Sequence, residues 1–116
     1  MTREFVILPE FDRQWKSMGL TDKELSKLQQ ELTLNPELGD IMQGTGGLRK
    51  MRFAFENNGK SGSLRVCYVD FQKYDKIYLI TAYPKNKKEN LSKSERNSIY
   101  KVIKLLEDTL KNNGGI

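Results

Sequence analysis

The chain reads as an α+β domain: an N-terminal strand and a helical hairpin packed on a small, mostly antiparallel sheet, with a helix at the C-terminal end. Three observations carry this reading. Apolar residues recur at helical spacing in two neighbouring segments before residue 36, and again after residue 92. Between them lie three segments with the alternation, length and aromatic or β-branched content of strands. Glycine, asparagine and proline separate these segments at hairpin distances. The length of 116 residues suits one compact domain over 1–116.

Residues 3–8, R-E-F-V-I-L, predict the first strand, and Pro9 stops it while suiting the first turn of a helix. Phe11, Trp15 and Met18 then recur at helical spacing until Gly19. Thr21 predicts the start of a second helix, because Glu24 three residues on completes a capping box. Leu25, Leu28 and Leu32 form its buried stripe, and Asn35-Pro36 closes it. A turn as short as 19–21 folds the two helices into a hairpin on the sheet. Residues 37–47 predict a loop ending in Gly44-Thr45-Gly46-Gly47, an open backbone. It lacks the Gly-Lys-Ser/Thr ending of a nucleotide phosphate loop and leads into a strand rather than a helix.

Three strands follow at about 48–56, 63–71 and 76–83, with turns at 57–62 and 73–75. The third, I-Y-L-I-T-A-Y, is apolar on both faces and belongs inside the sheet. Ser92 and Glu95 predict a second capping box, opening a last helix with Ile99, Val102, Ile103, Leu106 and Leu110 along one side.

Composition narrows the chemistry. Lys and Arg number 20 against 15 Asp and Glu, a net charge of +5 that suits a polyanionic partner, either nucleic acid or an acidic protein. There is no histidine, which removes Ser-His-Asp, Cys-His and histidine-pair ribonuclease chemistry. With Cys67 as the single cysteine, neither a zinc site nor a disulfide is expected, and no metal or cofactor is called for. One cysteine and no run of membrane-spanning length fit a cytoplasmic protein with no membrane partner.

The segment G-T-G-G-L-R-K-M-R-F carries the candidate chemistry. Its alternation puts Leu48, Lys50, Arg52 and Ala54 on one side and Arg49, Met51, Phe53 and Phe55 on the other. Lys50 and Arg52 thus point the same way, roughly 7 Å apart at two strand rises. Arg65 lies beside Cys67 and Val69 in the partner strand, and a buried arginine is rare without a partner, which favours a functional role. Lys85, Lys87 and Lys88 follow the last strand, with Tyr83 at its end; Tyr68 reads as core. Cations on strands offset the charge that grows on the non-bridging oxygens of a phosphodiester in its transition state. Arg65 offers a bidentate fork for this. Lys50, flanked by Arg49 and Arg52, is a candidate general base for a ribose 2′-hydroxyl, because like charge disfavours its ammonium form. The need for that hydroxyl would make such a site cut RNA and spare DNA.

The segments G-T-G-G-L-R-K-M-R-F, L-R-V-C-Y-V-D and Y-P-K-N-K-K-E-N-L-S, in this order, resemble the HigB-type branch of the RelE/ParE superfamily of bacterial toxins. The resemblance runs over nearly the whole chain. It implies a RelE-like fold and a metal-independent endoribonuclease that cuts mRNA in the ribosomal A site. It also implies a cognate antitoxin with a helix-turn-helix DNA-binding domain, and repression of the operon by the toxin–antitoxin complex on operator DNA. The family's basic strand pair falls on Lys50 and Arg52, and its phosphate-facing arginine on Arg65. A further basic residue is implied just after the last strand. Lys85, Lys87 and Lys88 all stand there, and Lys87 joins the catalytic set. Arg49, Lys60, Tyr83, Lys85 and Lys88 form the RNA-binding set. A tyrosine near the start of the last helix is also implied in some members, and Tyr100 comes several residues late for it. The alternative is a non-catalytic toxin of the same fold that inhibits a protein such as DNA gyrase.

Overall fold

In a computed structural model, which describes residues 2–57, 59–88 and 90–113 without the side chains of Asn57 and Lys60, the elements follow the expected order. They are β1 (Glu4–Ile7), α1 (Pro9–Ser17), α2 (Asp22–Leu34), β2 (Asp40–Ile41), β3 (Leu48–Asn57), β4 (Lys60–Phe71), β5 (Lys76–Pro84) and α3 (Lys93–Asn113). The strands form one sheet in the order β1-β5-β4-β3-β2. β1 runs parallel to β5, and the other neighbours are antiparallel. β2, two residues long, lies inside the stretch expected to be a loop. Asn58, in the expected 57–62 turn, is outside the described residues.

Both faces of the sheet are covered, and strand alternation decides what covers each. Met51, Phe53, Leu64, Val66 and Leu79 face the α1–α2 hairpin, where they meet Phe11, Trp15, Leu28 and Leu32. Leu48, Cys67, Val69, Tyr78 and Ile80 face the other way, against Ile103, Leu110 and Leu91 of the α3 side. Each fully buried large side chain contributes about 1.5–3 kcal/mol of transfer free energy, so either layer alone would leave half the sheet's apolar surface wet. Val102 departs from the expected α3 stripe: it is 38% exposed, while Ile103 and Leu110 are buried.

Local chemistry sets the boundaries. Gly19 ends α1 in the left-handed region, at φ +75°. The Thr21–Glu24 capping box forms as expected, with the Thr21 amide donating to Glu24 Oε1 at 2.7 Å. That donation holds the Glu24 carboxyl below its usual range. The glycine loop is tied down rather than open. Thr45 is fully buried, donates to the Met42 carbonyl at 2.5 Å and accepts from the Leu48 amide at 3.1 Å. Gly44, Gly46 and Gly47 supply the positive φ angles around it. Tyr68 is core, as expected. Its hydroxyl donates to the Pro36 carbonyl at 2.8 Å and accepts from the Gly39 amide at 2.8 Å, which fixes the chain between α2 and β2. In β5, Leu79 lies opposite Tyr68 and Thr81 opposite Cys67, so Ile80 is an extra residue and the strand bulges there. Among the described residues no helix is long and apolar enough to cross a membrane.

Candidate active site

The register of β3, β4 and β5 builds the site. Arg52 stands directly opposite Arg65, and Lys50 opposite Cys67. β5 adds Tyr83 opposite Arg65 and Thr81 opposite Cys67. Arg52, Arg65 and Tyr83 thus form one row across three strands, and Lys50 opens the next row on the same face. Cys67 and Tyr83 pack into the core beneath α3, so this is the α3 face of the sheet. α3 covers the part nearer Val69 and Phe71 and leaves Arg52 exposed and Arg65 half-buried. Like charges directly opposite on a sheet destabilise it.

The segment after β5 folds back over this face. Lys50 Nζ donates to Asn90 Oδ1 at 2.6 Å. Lys88 Nζ lies 4.9 Å from the centre of the Tyr83 ring and pairs with Glu95 Oε2. Glu95 is held by its own capping box: the Ser92 amide donates to Oε1 at 2.9 Å, and the Glu95 amide donates to Ser92 Oγ at 3.0 Å. The Lys88 ammonium, more than any other group, holds the Glu95 carboxyl below its usual range. The Tyr83 hydroxyl is buried and makes no well-formed hydrogen bond among the described residues; the neighbouring Cys67 thiol is at best a weak partner. Burial keeps the phenol well above its usual range, with Cys67 adding to the rise and Arg65 opposing it. Tyr83 is therefore a neutral group at physiological pH, a hydrogen-bond donor rather than a base. Burial likewise pushes the Cys67 thiol up to about 12, against the pull of the Lys50 cation.

The structure brings Lys50, Arg52, Arg65, Tyr83 and Lys88 onto one face. Lys87 is exposed in the turn after β5, where its amide donates to the Pro84 carbonyl at 3.2 Å, and Lys85 is exposed in the same turn. Arg49 stands on the opposite face by strand alternation, and its Nη1 donates to the Gly39 carbonyl at 2.7 Å. The Lys60 side chain lies outside the described residues. Tyr100 is 42% exposed on α3 and sits against Gly46, where an added Cβ would lie 3.4 Å from its ring. Two participants escape sequence reasoning, Asn90 and Glu95. Glu95 carries a signal, but as a helix cap rather than a partner for Lys88. Among the described residues no three His, Cys, Asp or Glu side chains gather where they could hold a metal ion.

Comparison with known proteins agrees with this architecture. The family described as "RelE toxin of RelE / RelB toxin-antitoxin system" matches residues 8–113. The chain also resembles the structure of a mutant of the E. coli toxin RelE in the free state, with a TM-score of 0.55 at 14% sequence identity, covering 84% of this chain and 97% of that one. At that identity the likeness speaks for the fold alone. The family match spans most of the chain, both cores and every strand of the cationic face. The chain belongs to the RelE toxin family of toxin–antitoxin systems.

Proposed function

We propose that this protein is a HigB-type toxin that blocks translation in the cytoplasm by cutting mRNA in the ribosomal A site without a metal ion. A cognate antitoxin with a helix-turn-helix domain neutralises it, and the complex of the two sits on operator DNA. The observation that carries the reading is the direct opposition of Arg52 and Arg65, with Lys50 next along the same face. In the reaction the ribose 2′-oxygen attacks phosphorus and the 5′-oxygen leaves, giving a 2′,3′-cyclic phosphate. Arg52 and Arg65 hold the non-bridging oxygens, whose charge grows in the transition state. Lys50, as the neutral amine, takes the 2′-hydroxyl proton, and the leaving 5′-oxygen takes a proton from water. Lys87 is the third cation, beside Arg52 and Arg65, and Tyr83, Lys85 and Lys88 hold the neighbouring RNA. The site needs no divalent ion for charge stabilisation, since its own cations supply it.

Induced expression tests the reading. Rapid arrest of translation, with new mRNA 5′ ends inside codons of translated messages, supports it. Intact mRNA with a DNA-damage response supports instead an inhibitor of a protein such as DNA gyrase.

A further inference from the structure

Asn90 lies in the segment that leads from β5 into α3, and its carboxamide oxygen accepts from Lys50 Nζ at 2.6 Å. The reaction above makes no use of Asn90. The residue is exposed, but its neighbours fix where it stands. Leu91 is buried in the core beneath α3, and Ser92 closes the capping box with Glu95. Asn90 thus reaches Lys50 from an anchored backbone. The strands around Lys50 offer it less. Cys67, opposite on β4, is buried, and Arg52, two residues on, carries like charge. Opposite on β2 stands Asp40, an exposed carboxylate. A lysine nitrogen sits on a flexible four-carbon stem, so a base built on one needs a hold from elsewhere.

We propose that Asn90 is a positioning residue for the general base: its carboxamide oxygen holds the Lys50 nitrogen on the cationic face and away from Asp40. This rests on the reading of that face as an RNA-cleaving site. A neutral amine has two N–H groups and one lone pair. A carboxamide oxygen can only accept, so it takes one N–H and leaves the lone pair to the ribose 2′-hydroxyl. It also carries no net charge. A carboxylate in its place would favour the ammonium form, which has no lone pair to offer. Asp40 would do the same to a lysine that swung toward β2. Asn90 therefore restrains the base at an uncharged point, without touching the RNA or the reacting atoms, and spares the reaction the search for that geometry.

The full chain, Asn90→Ala and Asn90→Asp are compared in single-turnover cleavage of ribosome-bound mRNA, with protein concentration varied and pH stepped through neutrality. Asn90→Ala should lower the limiting rate about 10- to 100-fold, as misplacement of a catalytic group does. The half-saturating protein concentration should stay where it is. Loss of a merely structural contact would instead loosen the segment that carries Lys88 and raise that concentration. Asn90→Asp keeps the size of the side chain and adds a charge. The rising limb of its pH profile should move up by about one unit or more, because a nearby carboxylate favours the ammonium form. The other ionisable groups on this face, Asp40, Arg52, Arg65, Cys67, Tyr83, Lys88 and Glu95, are common to all three proteins, so the change belongs to position 90. Asn90→Ala that cuts as fast as the parent, a loss confined to half-saturation, or an Asn90→Asp profile that does not move would overturn the proposal. Should Asn90→Ala melt far below the parent, the Asn90→Asp profile decides. The two readings fail differently. A parent that leaves ribosome-bound mRNA whole removes the nuclease and this role with it. A parent that cuts beside variants that cut alike removes only the role of Asn90.

Discussion

Arg52→Gln should separate activity from stability in opposite directions. Arg52 is exposed on β3 with Arg65 directly across from it on β4. At such a pairing the Cβ atoms stand about 4.5–5.5 Å apart, and like charges there cost roughly 0.2–1 kcal/mol. Glutamine keeps most of the stem and removes the charge. Unfolding free energy should therefore hold steady or rise by up to about 1 kcal/mol. Cleavage should fall about 10²–10³-fold, the loss of some 3–4 kcal/mol seen when one preorganised donor to a developing oxyanion is removed. Urea unfolding gives the first quantity and single-turnover cleavage of ribosome-bound mRNA gives the second. A variant that cuts within about threefold of the parent would refute the role of the opposed pair. So would a variant destabilised by more than about 1 kcal/mol, because Arg52 would then be a structural residue.

Three further outcomes follow from the packing and the titrations. Tyr68→Phe leaves the buried Gly39 amide without its acceptor and should cost about 1–3 kcal/mol in urea unfolding, with the charge of the active face untouched. The Glu95 carboxyl is held below its usual range when folded, so it stabilises the protein above the ordinary carboxylate pKa, and this contribution disappears as pH falls through the lowered value. Thermal scans from neutral to acid pH should thus show a shallower loss of Tm for Glu95→Gln than for the parent. The Cys67 thiol, buried and pushed up to about 12, should resist a thiol reagent at pH 8 until the protein unfolds; rapid labelling of the native chain would contradict its burial.

What was legible in the sequence depended on periods and on short-range chemistry. The alternation from Leu48 to Phe55 is enough to put Lys50 and Arg52 on one face and Met51 and Phe53 on the other. The pairs Thr21–Glu24 and Ser92–Glu95 mark two helix starts, because a capping box closes within four residues. Other features depend on partners far away in the chain. Nothing local in Asp40-Ile41 speaks for a strand; it pairs because β3 offers an edge there. The extra residue at Ile80 appears only when β5 is laid against β4. The contact between Lys50 and Asn90 spans 40 positions. Alternation within 48–55 puts Arg49 on the face away from Lys50, but its bond to the Gly39 carbonyl, ten positions back, shows only in the structure. Of Lys85, Lys87 and Lys88, the last is set apart by its place over Tyr83, which composition could not reveal.

The central claim is that the cations of one sheet face cut RNA through the neighbouring 2′-hydroxyl. The most direct measurement uses purified protein and ribosomes carrying a defined message, with the A-site nucleotides replaced singly by their 2′-deoxy forms. The account expects cleavage at one bond of the all-ribose message, a 2′,3′-cyclic phosphate on the upstream fragment, and no cleavage when the nucleotide 5′ of that bond lacks its 2′-hydroxyl. Cleavage of that deoxy-substituted message at an undiminished rate would contradict it.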